Sequence, residues 1–234
     1  MRQFPAPNQD LLTSFAYHST RIDRVPVSRA DIDQTLSGKK INPHLEGQLK
    51  TCNLIPILAS DPNLIPETRP ASWQEALIQL SFLKRIHANL FRTVAEQGQM
   101  TLDASVIQPH QVGEWREERK WIAGKEMPNP LDIPHLLKDW WIDMIDLHNL
   151  YREKIDNPSL LDDNDLKALV TGAYEANLKL CCIRPFAQGS NRTARAVENV
   201  FRLNFGLPFK VISHEDEFKF PYIDDIKEMQ RRYL

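Results

Sequence analysis

Three arginines, Arg184, Arg192 and Arg195, fall within twelve residues, RPFAQGSNRTAR, and no His, Cys, Asp or Glu stands among them. The stretch runs from an apolar helix end through a Pro-Phe turn into Gly189, Ser190 and Asn191, and then opens a second helix. A turn that feeds a helix leaves backbone N–H groups aimed at one point, and the helix dipole adds positive character there, so an anion is favoured. Gly189 tolerates positive φ, and Asn191 is the next most tolerant type, so the loop can curl into a nest. Arg192 and Arg195 are three apart on the new helix, share a face, and can fork onto phosphate oxygens. The residues describe a phosphate-shaped site without a group that accepts a proton. The same spacing also fits a plain helix start whose arginines pair with acids from neighbouring helices, and it lacks the Gly-Lys-Ser/Thr ending of a P-loop.

The elements that must position this loop are mainly α. Ser72 and Glu75 read as a capping box opening one long helix that stops at Gly98, with Leu77, Leu80, Leu83, Ile86, Leu90 and Val94 on its apolar face. A second helix starts near Asp132 and Pro134, a third near Asn164, and a fourth at Ser190 or Asn191, ending before Gly206. Shorter helices are expected over 9–22, 28–36 and 222–233. The stretch NLIPILASDPNLIPETRP, with prolines at 56, 62, 66 and 70, reads as an extended, apolar connector. The strand signal is GEWREERKWIAG, a small hairpin between Gly113 and Gly124 with Trp115 and Trp121 on one face. His87 and His148 read as satisfied helix residues, and Trp140 and Trp141 as core and boundary. Asp139, Asp143 and Asp146 read as a solvated face, with no metal cluster expected.

Composition bounds the rest. Of 234 residues, 42% are hydrophobic and 26% charged, ordinary for one substantial globular core. The net charge of -2 gives no general attraction to nucleic acid, so any basic patch is local. Cys52, Cys181 and Cys182 form no disulfide framework and read as core thiols, which fits a reducing, cytoplasmic setting. No apolar run approaches a membrane span or a signal h-region, although a bacterial effector exported by a dedicated machine would look the same.

The loop resembles the signature of the Fic (Fido) nucleotidyltransferases, His-Pro-Phe-x-Asp/Glu-Gly-Asn-Gly-Arg-x-x-Arg. Pro185, Phe186, Gly189, Arg192 and Arg195 match; Arg184, Gln188, Ser190 and Asn191 depart. AYEANLKLCCIRPF and RAVENVFRLNFGLPF are similar to the helices before and after that loop, VGEWREERKWIAG to the family's flap, DIPHLLKDWW to the helix start after it, and FLKRIHANLF to an upstream helix. STRIDR resembles the inhibitory Ser/Thr-x-x-x-Glu-Gly/Asn motif, with Ser19 matching, Asp23 in the glutamate position and Arg24 in place of Gly or Asn. The resemblance implies a Fic-type helical bundle with a flap hairpin and an N-terminal inhibitory-type helix. It divides the chain into 1–70, the N-terminal helices and connector, and 71–234, the Fic-like core, within one compact unit.

In that family the motif histidine takes a proton from a target hydroxyl, which attacks the α-phosphate of ATP and leaves AMP on the target. Arg184 stands in its place and does not give up its proton. The family's acidic residue holds Mg²⁺; Gln188 brings no charge and Arg184 repels a cation, so Mg²⁺ binding weakens and Arg184 is positioned to supply positive charge instead. Ser190 and Asn191 narrow the cradle, while the retained arginines keep contact with phosphate. An Asp23–Arg195 pair would compete with the γ-phosphate position. On the flap, Trp115, Arg116, Arg119 and Trp121 are the expected target-docking residues, by pairing along a strand edge; the plain reading of the same residues is a cover for the core. The resemblance thus implies a pseudoenzyme that binds a nucleotide, ATP or another, or a protein partner. Two alternatives stand beside it: a transferase with a relocated base, for which Glu117 and Glu118 are the nearest carboxylates, and a pure interaction module whose cradle is plugged by Arg184 or Asp23.

Overall fold

A computed structural model describes residues 7–39, 42–98, 107–122 and 124–233. The first six residues, read above for a leader, and position 123 of the hairpin lie outside them. Among the described residues the architecture is a bundle of helices with one two-stranded antiparallel ribbon. None of the described helices is long and apolar enough to cross a membrane.

Helix α1 (Gln9–Ile22) starts where the Asn8 side chain accepts from the N–H of Leu11, and it buries Leu12, Phe15, Ala16, Ser19 and Ile22 on one face. Helix α2 (Arg29–Leu36) opens on a Ser28/Asp31 capping box. Helix α3 (Pro43–Ala59) overturns the reading of 53–59 as extended connector. Asn42 caps it, Pro43 occupies its first turn, and it continues through Pro56. Proline costs an interior hydrogen bond, but burial of Cys52, Leu54, Ile55 and Leu58 in the main core outweighs that local preference. The extended part of the connector begins only after Ser60. Gly47 lets α3 lie directly on α5: a Cβ there would run into the main chain at Leu90. Helix α3 packs against α1, α5 and α8, which places it at the centre of the bundle.

The single helix expected over 72–98 is two. Helix α4 (Trp73–Gln79) ends at Leu80, whose ψ of 10° breaks the ladder, and α5 (Ser81–Glu96) restarts beyond it. Ser72 caps α4 through the N–H of Glu75, while the Glu75 carboxylate reaches one residue further back, to Ala71. Gly98 closes α5 at φ 59°. Helix α6 (Ile133–Asp156) carries Trp140 and Trp141, both fully buried; their indole N–H groups reach the Ala176 carbonyl at 3.0 Å and Gln79 Oε1 at 2.7 Å. Trp141 is thus core and not boundary. Helix α7 (Asp163–Ile183) starts with an Asp162/Asp165 capping box and leads into the arginine loop, and α8 (Ser190–Asn204) follows it. Helix α9 (Asp216–Tyr233) begins well before residue 222 and contains Pro221. The three cysteines are free and buried, as expected.

The ribbon is shorter than GEWREERKWIAG suggests, and shifted. Strands β1 (Trp121–Ile122) and β2 (Lys125–Glu126) pair antiparallel, and Gly124, read as the far border, sits in the turn at φ 79°. Residues 114–119 are not strand. Trp115 stacks on Phe186 with ring centroids 5.0 Å apart, whereas Trp121 is 57% exposed, so the two tryptophans do not share a face.

The end of α1 is a Schellman motif. The N–H of Arg24 bonds the Arg21 carbonyl at 2.8 Å and that of Val25 bonds the Thr20 carbonyl at 3.3 Å, with Arg24 at φ 59°. Glycine is the usual residue there because a Cβ is strained in that region. Arg24 is exposed and has no ion pair among the described residues. Arg24→Gly is therefore expected to stabilise the protein by about 1 kcal/mol, read as a rise in thermal midpoint of roughly 2–4 °C; an unchanged or lower midpoint contradicts this.

Candidate functional site

The arginine loop spans the gap between α7 and α8. Arg184 ends α7 in left-handed geometry, φ 49° and ψ 63°, and Gly189 precedes α8 at φ 72°. No Cβ fits at Gly189, because the ring of Phe91 fills that space. Asn191 lies inside the first turn of α8, so the left-handed positions of the loop are Arg184 and Gly189. No side chain caps α8, which leaves its first N–H groups for another acceptor.

The carbonyls along the loop are all engaged. Arg116 Nε donates to the Arg184 carbonyl at 2.7 Å, and the N–H of Arg116 donates to the Pro185 carbonyl at 2.8 Å. Ser190 Oγ donates to the Phe186 carbonyl at 3.3 Å. Lys120 Nζ donates to the Ala187 carbonyl, His87 Nε2 meets the Gln188 carbonyl at 3.0 Å, and the N–H of Thr193 takes that of Gly189 at 3.0 Å. Arg116, named above for target docking, is 4% exposed; its other guanidinium nitrogens hold the carbonyls of Glu118 and Pro128. Its geometry makes it a fastening of the flap to the loop. Arg119 and Trp121 are at the surface, and Arg119 pairs with Glu126 at 3.2 Å.

His87 was legible only as a satisfied histidine, and it does more than that. The N–H of Gly113 donates to its Nδ1 at 2.8 Å, so the proton sits on Nε2, facing the Gln188 carbonyl. Its ring stacks on Phe186 at 4.0 Å and 7°. Burial pushes its pKa down to about 3, so it stays neutral and joins the base of the flap to the loop. Both ring nitrogens are committed.

Asp23 meets both retained arginines. Arg192 Nε donates to Asp23 Oδ2 at 2.8 Å, and Arg195 Nη2 donates to Asp23 Oδ1 at 3.0 Å. Arg195 also holds Ser19, through Oγ at 3.0 Å and through the carbonyl at 2.8 Å. Arg192 approaches His44 Nδ1 at 3.3 Å and lies over the Phe91 ring at 4.7 Å. The guanidiniums are 2% and 1% exposed and Asp23 is 8% exposed. Burial pushes the Asp23 carboxyl up, but Arg195 and Arg192 outweigh it and hold it below the ordinary carboxylate value. Burial lowers Arg192; at Arg195 it acts the same way and Asp23 more than reverses it. The Asp23–Arg195 pair that STRIDR leaves open is present, and Arg192 joins it.

Arg184 has no such partner. Burial lowers it, its Nε is buried without a hydrogen bond, and no carboxylate lies within ion-pair distance among the described residues. Arg195 Nη1 and Asn191 Oδ1 are buried and unpartnered too. One carboxylate thus serves two guanidiniums, and the third, Arg184, is outside its ion-pair reach. Beneath them Tyr222 of α9, which sequence reasoning missed, donates from its hydroxyl to Asn177 Oδ1 at 3.1 Å, and Asn177 Nδ2 donates to Glu198 at 2.7 Å. No spacing rule links α9 to the loop.

A cleft of about 600 Å³ lies on the flap side, lined in part by Glu114, Trp115, Glu117, Glu118, Leu131 and Ala187. Lys84 pairs with Glu114 at 2.6 Å; Glu117 and Glu118 are exposed and make no ion pair among the described residues. Among those residues no group of three His, Cys, Asp or Glu side chains could hold a metal. Gln188 brings no charge to the loop, Arg184 adds a positive one, and Asp23 is engaged by Arg192 and Arg195.

Solved structures share this fold. A Fic domain-containing signaling protein from Bacteroides thetaiotaomicron superposes with a TM-score of 0.63 at 18% identity, over 96% of this chain and 73% of that one. A fragment of Fic-1 from C. elegans gives 0.63 at 16% identity, and a variant of that fragment 0.59 at 17%, each over 95% of this chain and 56% of theirs. No protein-family model matches the sequence, and no curated protein matches it. At these identities the likeness establishes the fold. The chain has the Fic fold, a helical bundle with a hairpin flap, and spans little more than half of the C. elegans fragment.

Asp23→Ala leaves two buried guanidiniums without their anion, which costs about 3–5 kcal/mol of stability; urea unfolding measures it. The sign of the pH effect follows from the lowered Asp23 pKa: the clamp's contribution is complete above the ordinary value of about 4 and is lost as pH falls through the lower folded one. An acid-unfolding curve of the variant should lack that component.

Proposed function

We propose that this Fic-fold protein binds the phosphates of a nucleotide, ATP or a relative, without the family's ordinary transfer of AMP. The observation that carries the reading is the excess of positive charge at the loop: buried Arg192 and Arg195 and the half-buried Arg184 against Asp23, with the buried Nε of Arg184 and Nη1 of Arg195 unpartnered. A buried cation without an anion is costly, and a phosphate supplies oxygens to the orphaned donors. The position that would accept the hydroxyl proton carries Arg184, and neighbouring His87 is neutral with both nitrogens used. Arg184 takes the place of the metal as a source of positive charge, so binding does not need Mg²⁺. Asp23 and Ser19 occupy the phosphate donors until the ligand displaces them.

One observation favours a second reading, an interaction module. Asp23 already fills the cradle, while the cleft beside the flap is open and lined in part by Trp115 and the exposed Leu131. A transferase with a relocated base would have to use Glu117 or Glu118 on that same cleft.

Calorimetric titration with ATP, in Mg²⁺ and in EDTA, separates these. Binding should persist in EDTA, tighten in Asp23→Ala, and weaken roughly 10-fold or more in Arg195→Ala. Failure of both the wild type and Asp23→Ala to bind ATP in either buffer would sink the nucleotide reading and leave the interaction module.

A further inference from the structure

Helix α1 is held on its outer side by a second fastening, independent of Asp23. His18 Nδ1 lies 2.8 Å from His214 Nδ1, and the N–H of His214 also points to His18 Nδ1, at 3.2 Å. A main-chain N–H can only donate, so His18 Nδ1 carries a lone pair and the His214 ring supplies the proton between them. The rings are 4.9 Å apart, and Tyr17 meets the edge of each at 5.1 Å. A groove of about 270 Å³ between α1 and α2, lined by His18, Tyr17, Arg29 and Asp33 among others, opens His18 to solvent.

We propose that this histidine pair is an acid-released latch on the helix that blocks the arginine loop. One added proton at His18 Nδ1 removes the bond from the His214 main chain, even if the His214 ring changes tautomer to accept it. Two added protons set N–H against N–H and cation against cation. Among the charged groups around the pair, the carboxyl groups of Asp10 and Asp33 stand on the groove that His18 lines, Glu215 opposes the neutral form, and Arg21 on α1, Arg29 on α2 and Lys219 on α9 favour it. Burial acts in the same direction at both rings. The sign is therefore fixed: the open helix binds protons more readily, so closure is strongest above about pH 6.5 and weakens as pH falls below it. Asp23 does not titrate there, because its pKa is lowered. Ser19 is the next residue after His18 and Asp23 ends the same helix, so release of the latch loosens the hold on Arg195 and Arg192.

The latch rests on the observed clamp, and that the freed arginines then take phosphate rests on the function proposed above; amide exchange reads the first without the second. Hydrogen exchange of α1 peptides, corrected for the intrinsic pH dependence, would be compared at about pH 7.5 and about pH 5.5. Protection in the wild type should fall roughly 10-fold, about the effect of one proton per pH unit below the free histidine value. His18→Gln keeps an acceptor that does not titrate, and its protection should stay flat; His214→Phe, which removes the ring donor but keeps the main-chain N–H on His18, should be less protected at both values and lose less protection on acidification than the wild type. Equal protection of wild-type α1 at the two values overturns the latch, as does an undiminished acid response in both variants.

Discussion

One carboxylate shared between two buried guanidiniums sets the terms for the middle of this protein. Arg192 and Arg195 leave α8 on the same face, and neither would stay buried without an anion. Asp23 reaches both because α1 ends in a left-handed turn that stops the helix beside α8. Apolar packing of α1 on α3 brings it there, and the Phe91 ring lies between Gly189 and Arg192. Arg184 then stands as the surplus charge, in a strained backbone conformation, on the other side of the same loop.

The loop itself is shaped from outside. Its carbonyls are taken by Arg116 and Lys120 near the flap, by His87 on α5 and by Ser190 and Thr193 on α8, so its backbone geometry owes nothing to a bound ligand. His87 ties the flap and the loop into one unit, because one ring faces Gly113 on one side and Gln188 on the other.

Much of this was written in the sequence. Helical periodicity and caps located α1, α2, α6, α7 and α8 within a few residues, since these carry regular apolar faces and strong start signals. The loop was legible because Gly189, Arg192 and Arg195 sit at fixed offsets from a helix start, and the resemblance added Asp23. What failed did so for tertiary reasons. Helix α3 was hidden by Pro56 and a proline-rich sequel, and only the core it enters makes it helical. The flap was misplaced because Trp115 looked like a strand residue while its partner is Phe186, far along the chain. His44, Lys120 and Tyr222 have no local signature at all; folding alone brings them to the loop.

Because Asp23 belongs to the same chain as the arginines it holds, any incoming anion competes with a tethered rival whose local concentration never changes on dilution. On the function proposed above, the affinity seen from outside would be the intrinsic affinity of the cradle scaled by the fraction of molecules in which α1 has moved away. Substitutions at the turn after Asp23, or on the outer face of α1, can therefore tune apparent affinity over a wide range while every atom of the cradle stays the same.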